Sequence, residues 1–474
     1  MAMKPDPLFI ELLEQTDDLE ILDRQHPMFD DRCLYYNRSL KHKPLAIVRP
    51  KSPTDVSSVV SFCTAHRISI AVRSGGHDFF GRSIVHDGVV IDMRRMDSVG
   101  IAPDRKSANV GGGVIAGDLQ QTLDKYRLFT PTGQAKTVGY VSWACGGGYG
   151  FYVGTYGFGV DQILGAIVVL ADGRIVNTDQ EPELLWAIRG AGAGTFGVVV
   201  ELRVKVYTTP KLYAGFLAFP IHEAPVVLER FQQLNAPNGI PDEFSGDAIV
   251  AKPEMLQLPS SAGSSYIFYW CWTAAQGDLS EAKEYLNKMK SFGTVLVDTV
   301  RETTPANFAG GDSSSPTFFR SCSISDLGAS VGKALSSEQP PWPLCAVVVH
   351  NNHGRGVHRS ILDGIGSAFS NRYPHVILGL HGGTCIAAQE CEGALDESVS
   401  WVRRLETTIS RLDCSISNGF PAFCPPEQVD PLDFFKPESA QRLYSLKEKL
   451  DPNNVFGRAF PRLIGKPVAK TRKV

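Results

Sequence analysis

The residues Arg73-Ser74-Gly75-Gly76-His77-Asp78 follow Ile68-Ser69-Ile70-Ala71-Val72, in which isoleucine and valine alternate with small side chains. A period of two reads as a half-buried strand, so both glycines stand in the turn at its C-terminal end. Successive N–H groups of such a turn form a concave nest for phosphate oxygens, and Arg73 adds positive charge. Before this segment, residues 46–48 read as a short apolar strand. Ser52-Pro53 then caps a helix with Val56, Val59, Val60 and Cys63 on one face. After it, strands are predicted at 89–92, 107–110, 166–170 and 198–207, with helices at 116–126 and 183–188. A second glycine cluster, Gly146-Gly147-Gly148-Tyr149-Gly150, precedes the strand at 166–170. Glycine clustered in this way means backbone brought close to something, often a phosphate or a planar cofactor.

Pro210 marks a boundary. Beyond it, helices are predicted at 224–234, 280–292 and 395–412, and strands at 266–272, 294–300, 345–350 and 375–381. The pattern is α+β. A length of 474 residues allows two or three domains. The divisions are 1–209 (core about 40–209), 210–424, and a C-terminal segment 425–474 that holds a helix at 440–450. Forty-seven Lys+Arg against 50 Asp+Glu give a net charge of −3, which argues against a dedicated nucleic-acid or anionic-membrane binder. The ten cysteines contain no CxxC pair, so neither a structural zinc site nor a disulfide scaffold is expected. Residues 1–29 are acid-rich and lack the form of a signal peptide, and no apolar run approaches the roughly 18 residues of a membrane span. An intracellular soluble protein is expected.

Three motif matches carry no function. Gly192-Ala193-Gly194-Thr195-Phe196-Gly197 fits GxGxxG but follows a predicted helix and opens a strand, the reverse of a dinucleotide fingerprint. The run 111–116 has the better order but lacks the acidic residue. Gly328-Ala329-Ser330-Val331-Gly332 fits the hydrolase elbow, yet 323–327 before it does not read as a buried strand. His353 and His358 have no third ligand in range, so no metal is expected.

The wider pattern resembles a known family. The turn 73–77, the strand 88–92, Gly146 to Gly150, Tyr156-Gly157, Asp161, Ala171-Asp172-Gly173, Leu185-Trp186-Ala187-Ile188-Arg189-Gly190 and Phe196-Gly197-Val198-Val199 occur in that family's order. Leu450-Asp451-Pro452-Asn453-Asn454-Val455-Phe456 is similar to its closing signature, and Ser367-Ala368-Phe369-Ser370-Asn371-Arg372 to its (T)AFxHR segment. These features resemble the berberine-bridge-enzyme-like flavoproteins of the vanillyl-alcohol oxidase / p-cresol methylhydroxylase (PCMH) superfamily. The resemblance implies a two-subdomain, PCMH-type FAD-binding domain plus a substrate domain whose large antiparallel sheet is covered by helices. It places FAD along Arg73, Ser74, Gly75, Gly76, His77 and Asp78, with its ring near Thr137, Val138 and Gly139. Gly146, Gly147, Gly148, Tyr149, Gly150, Val199 and Asn454 complete the implied cofactor contacts. It also implies a single covalent link, from His77 to the flavin 8-methyl carbon.

The sequence departs from the family at three places. Ala135 stands where many members carry a second, cysteine tether, and Cys145, at a different motif position, reads as packing. A tyrosine base that often precedes the last Arg-Leu is absent before Arg442-Leu443; Tyr444, one helical turn on, is a candidate substitute. Residues 376–380 are apolar where relatives carry a carboxylate or glutamine, which leaves His350 and His381 as candidate bases. The expected activity is an FAD-linked oxidase. Hydride from a small aromatic or hydrophobic substrate goes to flavin, and O2 is reduced to H2O2. Val138 favours oxygen access, and Tyr266, Phe268, Tyr269, Trp270 and Trp272 suit an aromatic substrate. The alternatives are a redox-neutral cyclase or cycloaddition catalyst on the same scaffold, and a non-catalytic flavin binder.

Overall fold

The computed structural model describes residues 7–463 except 15, 17, 257–262, 309, 312–313, 360–362, 385–392, 418 and 426–433. Ser52 and Asp55 form a reciprocal capping box that starts the helix Pro53–Ala65, with proline in its first turn. Its buried Val56, Val59, Val60 and Cys63 pack on a sheet in which Ala46–Arg49, Val89–Asp92 and Ile70–Arg73 run parallel. All four residues of Val89–Asp92 are buried, as expected of a parallel strand covered on both faces. A five-stranded antiparallel sheet follows, in the order Val99–Ile101, Ser107–Gly111, Val198–Lys205, Ile163–Val169, Ile175–Asn177.

The third sheet has nine strands. Ser265–Ala274, Ala248–Ala251, Cys345–Asn352, His375–Gly383 and Thr317–Ile324 form its centre. Four helices, Ala224–Asn235, Ser280–Lys290, Ala329–Ser337 and Ala394–Ser410, bury one face of it. Alternation along Ser265–Ala274 sends Tyr266, Phe268, Trp270 and Trp272 into that helix layer. Of the five aromatics expected to suit a substrate, Tyr269 alone lines the cavity on the opposite face.

Several strands differ from the sequence reading, among them Val99–Ile101, Ile175–Asn177 and Ala248–Ala251, none of which is predicted. Lys211–Pro220, just past the Pro210 boundary where no strand is predicted, pairs along its whole length with Ser265–Ala274. Small and apolar side chains on both of its faces remove the alternating signal. A Cβ at its Gly215 would overlap the Thr299 carbonyl, so glycine admits the edge segments Val297–Asp298 and Arg301–Thr303; the strand predicted at 294–300 shrinks to the first, and the second lies beyond it. Thr317–Ile324 makes 323–324 a buried strand, contrary to expectation. Ser330 nevertheless lies in the first turn of Ala329–Ser337, on the sheet's far side from the cavity.

The tail returns to the five-stranded sheet. Ala440, Leu443 and Leu446 of the helix Pro437–Leu450 pack with Leu184, Leu185 and Ile188. Lys447, 4% exposed, donates to Asp451 (2.6 Å), the Thr195 carbonyl (2.8 Å) and the Phe456 carbonyl (3.1 Å). This knot ties the closing signature to the glycine-rich 192–197 segment. No described helix is long and apolar enough to cross a membrane, and no described cluster of His, Cys, Asp or Glu could hold a metal ion. Replacing Lys447 by Met should cost about 3–5 kcal/mol in denaturant unfolding, because Asp451 would stay buried without its cation.

Candidate active site

A cavity of about 1070 Å³ lies between the three sheets. The strand Ile70–Arg73 delivers the turn 74–78 to its wall. The backbones of Gly75 and Gly139 meet directly: a Cβ on either would overlap the other's loop. Gly76 has φ +75°, which glycine adopts without strain. Ser74, Gly75 and Gly76 donate no backbone hydrogen bond to any described residue, while the Ser74 hydroxyl donates to the Gly112 carbonyl (2.8 Å). Outward-facing amide donors beside an apolar floor of Ile70, Val72, Met93 and Val198 fit the phosphates and flat ring systems of an extended dinucleotide. Gly192, Gly194 and Gly197 also line this wall, so the rejected GxGxxG run contributes here through a strand entry.

His77 stacks on Tyr36 (centroids 4.3 Å apart), and its Nε2 is hydrogen-bonded to Thr137 Oγ1. Asp78, Val138, Gly146, Gly148, Tyr149 and Val199 line the cavity. Ala135 lines it too, so the position that could carry a second tether holds a methyl group. Cys145 is fully buried away from it, and burial pushes its thiol pKa up.

Six expected site residues do not line the cavity, Thr137 among them, which is hydrogen-bonded to His77 Nε2 instead. Arg73 turns inward, donating to Asp92 (2.7 Å) and the Arg32 carbonyl (2.6 Å), so its charge is neutralised inside the sheet. A Cβ on Gly147 would crowd the Phe369 and Phe420 rings, and one on Gly150 would overlap the Thr132 carbonyl; both glycines serve packing. Asn454, at φ +52°, closes the turn after Asp451. Tyr444 packs against the apolar cluster of the five-stranded sheet, far from any role as base in this cavity.

His350 and His381 do line it, from the neighbouring strands Cys345–Asn352 and His375–Gly383. His350 is parallel to Phe423 (5.2 Å) and tilted against Tyr149 (4.8 Å). Its Nδ1 is buried with no hydrogen-bond partner among the described residues. Burial pushes its pKa down to about 3, and that of His381, edge-on to Phe79 and Phe319, to about 4. Both rings are therefore neutral near pH 7. His353 instead holds the Ser245 carbonyl (3.1 Å) from inside the fold.

The sequence reading missed Asp247. It is 1% exposed and accepts from Tyr149 Oη, Gln134 Nε2 (2.6 Å) and the Asn351 N–H (3.0 Å). Burial pushes its carboxyl pKa up to about 7. No motif surrounds it, so only the packing reveals it.

Comparison with known proteins agrees with this geometry. The FAD binding domain family model matches residues 44–179. The FAD-linked oxidoreductase aurO of Gibberella zeae is 34% identical over 459 residues, 94% of this chain and 86% of that protein. Berberine bridge enzyme-like 28 of Arabidopsis thaliana is 32% identical over 249 residues, 50% of this chain and 45% of that protein. The chain belongs to the berberine-bridge-enzyme-like FAD-linked oxidoreductases. Its cofactor is FAD, and it is an enzyme of the oxidoreductase class. Among solved structures, glucooligosaccharide oxidase from Acremonium strictum, described with a 6-S-cysteinyl, 8α-N1-histidyl FAD, superposes with a TM-score of 0.74. It shares 19% identity, over 96% of this chain and 98% of that one.

Two outcomes are expected. Gly75→Ala should purify with a lower flavin-to-protein absorbance ratio and unfold about 1–3 kcal/mol more easily, since the added methyl forces the two loops apart. The depressed imidazole pKa values of His350 and His381 give stability that is complete above about pH 6.5 and is lost as pH falls toward 4 and 3. Melting curves of a His350→Gln/His381→Gln double variant should therefore show a smaller acid-induced drop than wild type.

Proposed function

We propose that this enzyme is an oxidase of small, neutral aromatic molecules, with FAD attached through His77 and O2 reduced to H2O2. The observation that carries the reading is the sheet wall opposite the His77 turn. At its centre the lining residues Ile249, Val348, His350 and His381 carry no net charge near pH 7, and Phe79, Phe216, Tyr269 and Phe423 stand beside them. Arg301, at the sheet edge, is the wall's one charged lining residue among those described. Such a wall binds a flat ring by stacking and apolar burial. A sugar would require a denser set of hydrogen-bonding side chains.

When bound, FAD supplies a two-electron acceptor that dioxygen can reoxidise. The chain's own residues hold and orient the reactants. The outward amides of 74–76 would hold the pyrophosphate, and Thr137, hydrogen-bonded to Nε2 of His77, would orient the imidazole for attachment. Val138 bounds the cavity beside His77, consistent with room for oxygen. His350 Nδ1, buried and unpartnered among the described residues, accepts a hydrogen bond from a substrate hydroxyl and fixes its orientation. Relatives named as oxidoreductases and oxidases favour this over a redox-neutral reaction.

Aerobic incubation with 4-hydroxybenzyl alcohol, with cellobiose as the contrasting substrate, tests the reading by peroxide release. Peroxide from cellobiose and none from the aromatic alcohol would refute it. The wild-type protein should keep its flavin through urea denaturation, and His77→Ala should release it. Flavin freed from denatured wild type would remove the tether while leaving the fold intact. His350→Ala should slow flavin reduction by the aromatic substrate about 100-fold, the lower end of acid–base and positioning effects.

A further inference from the structure

We propose that Asp247 is the proton acceptor behind the cavity wall: a substrate hydroxyl passes its proton to Tyr149 Oη as Tyr149 passes its own to Asp247 Oδ1. The inference rests on the preceding reading of the cavity as one that takes hydroxylated aromatics, and it adds the residue that completes the acid–base chemistry. In this step the substrate O–H bond breaks and its electron pair stays on oxygen. Tyr149 loses one proton and gains one, and Asp247 becomes a neutral carboxylic acid. Nothing is oxidised or reduced. The proton leaves to solvent before the next turnover.

The geometry is that of a relay. Tyr149 lines the cavity and donates to Asp247, which itself lies behind the wall. Gln134, also on the lining, donates to Asp247 Oδ2 (2.6 Å), and the Asn351 N–H holds Oδ1 (3.0 Å). The Tyr269 N–H donates to the Asp247 carbonyl (2.9 Å), so the aspartate backbone is fixed in the sheet. The carboxylate is thus aimed at one phenol from the residue that leads into the strand Ala248–Ala251, as a proton acceptor requires.

The alternative acceptors are poorer. His350 touches the Tyr149 ring, but burial leaves its imidazole almost without basicity near pH 7. Tyr149 alone is no base, because burial and the adjacent carboxylate push its pKa well up. The titratable groups whose electrostatics feel Asp247 are Tyr149 from the glycine cluster and Tyr266 and Cys271 from Ser265–Ala274. No cation contributes to its environment. A buried carboxylate without a cation takes up a proton far more readily than one at the surface, and its pKa of about 7 matches neutral working conditions.

The test uses the FAD-loaded enzyme and 4-nitrophenol, a neutral phenol whose visible absorption reports its own ionisation. In wild type, an infrared carbonyl band of a protonated carboxylic acid should titrate between about pH 5.5 and about pH 8.5. At about pH 6.5, where the free probe is still mostly the neutral phenol, bound 4-nitrophenol should show more phenolate absorption than in solution while that acid band grows. Asp247→Asn should lose both signals; the Gln134 amide can turn to meet the new NH2. Tyr149→Phe should keep the acid band and lose the probe's ionisation.

Folding is checked separately. Because the carboxyl pKa is raised on folding, the stability it contributes is present below its unfolded value and lost as pH rises through about 7. Asp247→Asn should therefore melt no lower than wild type at about pH 8. A wild-type enzyme with no carboxyl titration in that range would overturn the proposal. So would 4-nitrophenol that binds and ionises equally in all three proteins, or that binds and stays neutral in wild type. Failure of 4-nitrophenol to bind at all, measured by equilibrium dialysis, would instead overturn the aromatic-cavity reading on which the relay stands.

Discussion

The backbone-to-backbone contact of Gly75 with Gly139 is the constraint on which the site depends. Only two residues without Cβ atoms let the turn after Ile70–Arg73 press against the loop before Tyr140–Cys145. That contact fixes where the amides of 74–76 point, and it sets His77 beside Thr137. The same closeness draws Val138 to the cavity. A side chain at either position would open the gap between the parallel sheet and the following loop, and the concave turn would lose its opposite wall.

The substrate side depends on register in the nine-stranded sheet. His350 pairs with Ile377, and His381 with Ala346, so the two histidines lie on one face of adjacent strands. A one-residue slip would exchange that face for the helix-covered one. The long pairing of Lys211–Pro220 with Ser265–Ala274 resists such a slip: ten consecutive pairs place Trp270 under the helices and Tyr269 toward the cavity. The strand most easily missed in the sequence therefore helps hold the aromatic wall in place.

What was legible in the sequence was local. The glycine turns, the Ser52 cap and the closing Asp451-Pro452-Asn453-Asn454 turn each announce themselves within a few residues, because a turn's backbone demand falls on those residues alone. Arg73 could not be read this way. Its partner Asp92 is 19 residues away and becomes its neighbour only through parallel strand pairing. Tyr444 failed for a helical reason. One turn from position 440 keeps a side chain on the same face, and Ala440 is fully buried in the core, so Tyr444 was carried toward the core with it. Asp247 had no local signal at all. Its donors come from residues 134, 149 and 351, which only the tertiary fold assembles.

Placing the carboxylate behind the wall also answers why the wall can lack one. A carboxylate facing an apolar substrate must shed its water each time substrate binds, at a cost to affinity. Asp247 is dehydrated once, on folding, and the cost falls on stability instead. Tyr149 then presents a neutral hydroxyl to the cavity, which stacks and hydrogen-bonds without repelling a ring. The neutral His350 beside it adds a hydrogen-bonding nitrogen on the same terms. The two ends of the cavity thus divide the work. Outward amides suit an anionic cofactor tail, while the sheet end has Arg301 as its one charged lining residue among the described residues and keeps its buried carboxylate a single hydrogen bond behind Tyr149.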